Sequence, residues 1–259
     1  MKKHYTSTLA MILIAFGATG QRWSPEMGVD YVFTSTLGSM KNNIRQGHGI
    51  VLDFGMLTPS KRFAVGAEVQ YTMYGYDQSK QQYDLDDGTT ALMQVNVSNS
   101  FVNFLAYSRY YIITEGNFQP YIAVKGGYSH YSTDLNIYDP DEWDNCEPVE
   151  SDILQEDGTM VGALSGGFRL DFSSLFRRST PGRLFVDFST TISQGGTVKY
   201  MNTDAPSQHG HSPGTTDAVE AEFINTQTQV VHSHHVGTLY SSPVQLLDFR
   251  LGVSFRINR

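Results

Sequence analysis

The feature that constrains this chain most is an alternation of period two whose faces differ in kind. Leu247, Phe249, Leu251, Val253, Phe255 and Ile257 share one face of the last such run, and Asp248, Arg250, Gly252, Ser254 and Arg256 share the other. Successive side chains of an extended strand point to opposite sides, so one side is greasy and the other polar and small. The pattern recurs. Leu164, Gly166, Phe168, Leu170 and Phe172 oppose Ala163, Ser165, Gly167, Arg169 and Asp171. Phe63, Val65, Ala67, Val69, Tyr71 and Met73 oppose Ala64, Gly66, Glu68 and Gln70, and Ile50, Leu52, Phe54 and Met56 oppose Asp53 and Gly55. A water-facing surface carries long charged chains, yet this polar face is poor in lysine and rich in Gly, Ala and Ser. Small residues mixed with a few large ones suit the narrow interior of an eight-stranded barrel. The polar face is therefore expected inside and the apolar face outside, toward lipid.

Eight segments read this way, at about 27–35, 48–57, 63–76, 95–112, 119–135, 160–172, 184–200 and 244–257. Their connections alternate between long polar stretches and short turns, such as Thr58–Lys61 and Thr114–Asn117. Short periplasmic turns and long external loops mark an all-β, eight-stranded antiparallel up-and-down transmembrane β-barrel. A spanning strand needs about 9–11 residues, so strands four, five and seven should protrude. Residues 1–20 carry Lys2 and Lys3, an apolar core from Leu9 to Ala18, and the small residues Ala18-Thr19-Gly20. This is the layout of a cleaved secretory signal peptide. It leaves 21–259 as one barrel domain, exported to the outer membrane. The formal charge of -8 argues against a nucleic-acid partner. The single cysteine, Cys146, excludes an internal disulfide framework.

The inner face carries the acids Asp30, Asp53, Glu68, Asp171, Asp187 and Asp248 and the bases Arg109, Lys125, Arg169, Arg250 and Arg256. Charges enclosed this way pair or keep water. Near balance predicts a plugged polar lumen, not a diffusion pore. Leu105, Tyr107 and Phe185 fall on this inner face against the pattern. Aromatics gather toward strand ends: Tyr110, Tyr111, Tyr121, Phe172 and Phe255 on the periplasmic side, and Tyr71, Tyr74, Tyr76, Tyr128, Tyr131 and Tyr240 on the outer side. Two such girdles are expected at membrane interfaces.

The loops offer candidate chemistry, each with a plainer reading beside it. Residues 138–158 hold Asp139, Asp141, Glu142, Asp144, Glu147, Glu150, Asp152, Glu156 and Asp157 and no base. Asp139, Asp141 and Asp144 could gather around calcium, but the EF-hand spacing is absent and a solvated acidic loop explains them. His209, His211, His232, His234 and His235 lie in the last loop. Imidazoles bind zinc, copper or nickel, yet no carboxylate or Cys completes a fixed ligand set. Ser129 and His130 could serve a lipid hydrolase or acyltransferase at the rim, but strand neighbours face opposite ways. No catalytic, cofactor-binding or metal residue is assigned, no cofactor is expected, and the reading is non-enzymatic.

The stretch 101–131 reads FVNFLAYSRYYIITEGNFQPYIAVKGGYSHY. Arg109-Tyr110-Tyr111, a short polar turn, and Pro120-Tyr121-Ile122 on the returning strand resemble the central hairpin of small outer-membrane β-barrel proteins of the OmpX/OmpA-like and PorT-like families. The C-terminal LLDFRLGVSFRI resembles the closing strand by which such barrels are recognised by the barrel-assembly machinery. The resemblance implies life among outer-membrane lipid and lipopolysaccharide, with structural, adhesive or surface-binding loops. The PorT-like likeness implies an alternative, a barrel subunit of a larger outer-membrane secretion or transport assembly. A second alternative, a soluble exported lipocalin-like binding barrel, would need the apolar face inside.

Overall fold

The computed structural model describes residues 23–44, 46–84, 90–138, 148, 150–173, 182–202, 217–224 and 231–257. Its strands are β1 (Ser24–Thr36), β2 (Gln46–Leu57), β3 (Phe63–Asp84), β4 (Thr90–Tyr111), β5 (Phe118–Tyr138), β6 (Glu150–Asp171), β7 (Gly182–Asn202), β8 (Asp217–Ile224) and β9 (Val231–Ile257). Eight of them, β1–β7 and β9, pair antiparallel in sequence order, and β9 closes on β1. β8 is an added strand on the outer end of β9, with Ala218 opposite Thr238.

The registers fix the barrel's shape. From Glu26 the paired residues run through Gly55, Gly66, Tyr107, Lys125, Ala163, Ser193 and Leu246 and return to β1 at Thr36. The displacement from Glu26 to Thr36, ten residues, is the shear of the barrel. Eight strands with that shear tilt by about 40° and enclose a backbone cylinder of radius roughly 8 Å, from ordinary strand spacings. An even shear also keeps each residue on its own face around the circuit.

The faces sort as the alternation predicts. Met27, Val29, Ile50, Leu52, Phe54, Val65, Val69, Phe104, Ile122, Val124, Leu164, Phe188, Ile192, Leu251 and Val253 are exposed on the outside. Asp53, Glu68, Gln70, Arg109, Lys125, Arg169, Asp187, Asp248, Arg250 and Arg256 are buried inside. A continuous apolar outer surface around a polar interior is the arrangement of a transmembrane barrel. It is the reverse of a lipocalin-like binder, so that alternative falls.

Above the belt the pattern inverts, and there the expected strand ends need correction. β3 and β4 stay paired as far as Asp84 and Thr90, where a polar loop from Asp77 was expected. β6 begins at Glu150, not near Met160, and β9 at Val231, not near Val244. Strands three, six and nine therefore protrude along with four, five and seven. In this outer part Met93, Val95, Val97, Leu135 and Ile137 pack inward as a buried apolar cluster, while Gln94 and Asn96 face outward at intermediate exposure. Where water replaces lipid, the apolar side turns inward as in any soluble sheet. Bulges mark the transition on three seams: Met73/Gly75, Thr133/Asp134 and Gln194/Thr197. They bend the wall and re-aim side chains. Tyr74, the extra residue at the first, packs against the interior cluster beside Phe101 and Tyr131.

Candidate functional site: the lumen and the outer rim

Two carboxylates organise the lumen. Glu26 on β1 accepts from Arg256 Nε on β9 at 2.6 Å and from Arg169 on β6 at 3.2 Å. Tyr111 donates to the same carboxylate at 3.4 Å. Nearer the middle, Glu68 on β3 accepts from Lys125 on β5 at 2.8 and 3.0 Å and from Arg250 on β9 at 2.9 Å. Arg250 also donates to Gln70 at 2.8 Å and to Asp248 at 3.2 Å, and Thr34 closes on Asp248 at 2.6 Å. These partners sit on strands that are not neighbours, so each hub ties opposite walls together. Desolvating such ions is expensive, and their mutual pairing is what offsets it.

Aromatic rings fill the space between the charges. Arg169 lies over Tyr111 at 4.2 Å and over Phe185 at 5.0 Å, and Arg256 shares Phe185 at 4.8 Å. Arg109 sits over Tyr107 at 5.0 Å and Tyr121 at 4.6 Å, with Asp53 at 3.6 Å. Tyr121 donates to Asp187 at 2.5 Å. A guanidinium over an aromatic face keeps an attractive partner where water is scarce. This explains two residues that break the alternation: Tyr107 and Phe185 face inward as platforms for arginines. Leu105, the third, belongs to the apolar cluster above.

Glycines make room for these side chains. A Cβ on Gly55 would lie 2.3 Å from the Tyr107 hydroxyl, and one on Gly66 would lie 2.7 Å from that ring. A Cβ on Gly252 would lie 2.0 Å from the Asp30 carboxylate.

The outer mouth carries a different device. Between β1 and β2 a 3-10 turn (Gly38–Asn42) dips inward, burying Met40 and, just after it, Ile44. They join Phe101, Leu105, Tyr131, Val161, Val198, Tyr200, Val244 and Leu246 in one apolar cluster across the barrel. Leu37 N–H donates to Gln245 at 2.8 Å, Thr36 hydroxyl donates to Ile44 carbonyl, and Asn43 donates to the Tyr200 hydroxyl at 2.9 Å.

The expected inner charges are thus placed together, with two corrections. Asp171 pairs with Arg183 at 3.5 Å at the short-turn rim, not across the lumen. Glu26, one of the two hubs, was missed because the first strand was started one residue late; its parity with Asp30 was the available signal. The aromatic girdles also thin out. Tyr111, Tyr121 and Tyr131 are buried inside, and Tyr74 and Tyr240 pack on the interior cluster. Consecutive residues such as Tyr110 and Tyr111 cannot both face lipid.

The rim candidates fare as strand geometry requires. Ser129 is buried on the inner face, whereas His130 faces outward, 4.0 Å from Glu156. Asp139, Asp141, Glu142, Asp144, Cys146, Glu147, His209 and His211 lie outside the described residues. The backbone of β9 places His232 opposite Phe223 and His234 opposite Ala221. Among the described residues no three His, Cys, Asp or Glu side chains are placed to hold a metal ion.

A closed eight-stranded wall, apolar outside and ion-paired inside, defines a transmembrane β-barrel of the kind found in bacterial outer membranes. Among solved structures, the chain resembles Neisserial surface protein A at 10% identity and a TM-score of 0.45, covering 93% of this chain and 100% of that one. It resembles Ail, the attachment invasion locus protein of Yersinia pestis, at 10% identity and a TM-score of 0.38, covering 90% and 97%. The outer membrane protease OmpT from Escherichia coli matches at 9% identity and a TM-score of 0.30, covering 93% and 98%. No protein-family model matches the chain, and no curated protein matches it. The class therefore rests on the barrel's own geometry.

Proposed function

We propose that this chain is an integral outer-membrane protein, non-enzymatic, with a plugged lumen and tall external hairpins that do structural, adhesive or surface-binding work. The observation that carries the reading is the pair of carboxylate hubs, Glu26 and Glu68, each holding two cations from other walls beneath an apolar cap. A lumen crossed in this way leaves the outer extensions as the working surface. Residues 1–20 act as a cleaved export signal, and the closing strand hands the chain to the barrel-assembly machinery. Its surroundings are outer-membrane lipid and lipopolysaccharide.

Two measurements test this. A tagged chain in isolated outer membranes should run as a compact band in SDS and shift on boiling. Planar-bilayer recording of the purified barrel should show no large, steady conductance; a steady pore current would overturn the plugged reading. Pull-down from native membranes separates a solitary barrel from a subunit of a larger secretion assembly: stoichiometric co-purifying partners would replace the proposal with the latter.

A further inference from the structure

β6 is a strand with two neighbours below and, among the described residues, one above. From Val161 to Asp171 it pairs with β7. Above Val161 it keeps β5 alone, while β7 goes on with β9 from Thr197 to Asn202. The seam is closed at its base by Asp157, which accepts from Gly158 N–H at 2.7 Å and from Lys199 N–H of β7 at 2.8 Å. Beyond that clamp, Glu150–Glu156 offers a free strand edge above the lipid belt.

The groups on this edge are identifiable. Ile153 N–H is bonded by the Asp152 carboxylate at 2.8 Å, and Glu156 carbonyl accepts from the Gln155 side chain at 3.1 Å. Strand groups turned toward β5 would have been taken by β5, so these point the other way. The bulge at Thr133/Asp134 explains why an odd and an even residue both face the edge. Exposed edges recruit any passing strand unless something blunts them. Here neighbouring side chains do so. Asp152 and Glu156 are exposed, Glu150 lies on the same stretch, and Ile153 is 56% exposed beside them.

We propose that the outer edge of β6, Glu150–Glu156, takes an extended basic segment of a partner protein as an added strand. The argument is one of exchange and charge. A second copy of this edge would bring carboxylates against carboxylates, and like charges opposite one another oppose pairing. A lysine or arginine of an incoming strand draws Asp152 off Ile153 N–H, and the incoming carbonyl replaces it. Main-chain bonds then give affinity, acids choose the partner, and Ile153 offers an apolar contact. The proposal concerns the outer edge alone and stands whether or not the lumen conducts.

The test uses the full barrel in detergent and three eight-residue probes: an alternating Lys-Val peptide, the same peptide N-methylated at alternate amides, and its Glu-Val counterpart. Calorimetry should show binding of the first, at least about tenfold weaker binding of the second, and none of the third, since two or three lost main-chain bonds amount to that factor or more. Ile153→Pro removes the edge N–H without touching the β5 ladder and should weaken the Lys-Val peptide by a similar factor. An unchanged heat-shift band confirms that this variant is folded. Equal binding of the methylated peptide, or an unaffected Ile153→Pro, would reduce the site to a charged surface and overturn the proposal. So would failure of the Lys-Val peptide to bind, or a dimer formed through this edge.

Discussion

Replacing Glu68 by Gln is the sharpest test of how the lumen is held. Glu68 is 2% exposed and takes three charge-assisted bonds, two from Lys125 and one from Arg250. Arg250 keeps Asp248 at 3.2 Å and Gln70 at 2.8 Å after the change. Lys125 is bonded within the barrel to Glu68, so its ammonium is left buried opposite an amide. Removing one partner of a buried pair costs about 3–5 kcal/mol. That is roughly a hundredfold to several thousandfold in the folding equilibrium. Urea titration of the barrel in detergent, read by the heat-shift band, should show the midpoint fall accordingly. Adding Lys125→Met to Glu68→Gln removes the stranded charge and should recover most of the loss. If Glu68→Gln alone stays within about 1 kcal/mol of the parent, the hub behaves like a solvated surface pair. The claim that it bridges a dry lumen would then be refuted.

Three further outcomes follow from the same geometry. Gly66→Ala should cost about 1–3 kcal/mol by urea titration, because its Cβ would meet backbone: Phe54 carbonyl at 2.2 Å and Gly55 Cα at 2.7 Å. Gly55→Ala meets the Tyr107 hydroxyl first, so Tyr107→Ala should rescue Gly55→Ala but not Gly66→Ala. Leu251→Arg, placing a charge in the middle of the lipid-facing row of β9, should cost about 2–4 kcal/mol in vesicles; no penalty would mean that this face does not meet lipid. Met40→Asp should raise proteolytic nicking within 38–44 by about tenfold or more while the heat-shift band persists, since that cap opens locally; unchanged resistance would show that the cap is held without Met40.

The membrane-spanning part was legible because lipid outside and a narrow polar space inside impose opposite demands on alternate residues. Rows such as Leu247 to Ile257 against Asp248 to Arg256 carry strand, face and inside-outside sense together. The protruding part was not legible in the same way. There the outer face becomes polar and the inner one apolar, as with Asn96 beside Val95 and Val97, so the contrast that marked strands reads as a loop. The same inversion hid β8 and the first ten residues of β6.

Parity within one strand comes from the sequence, because side chains alternate by covalent geometry. Pairing across the lumen does not. That Glu26 meets Arg169 and Arg256, that Glu68 meets Lys125 and Arg250, and that Tyr107 and Phe185 turn inward beneath arginines depend on register. Register is a ten-residue offset accumulated over eight seams, and no local stretch of chain contains it. The sequence by itself determined a barrel with its apolar side to lipid. Only closure decided which charges face one another, because that requires every strand to be in place at once.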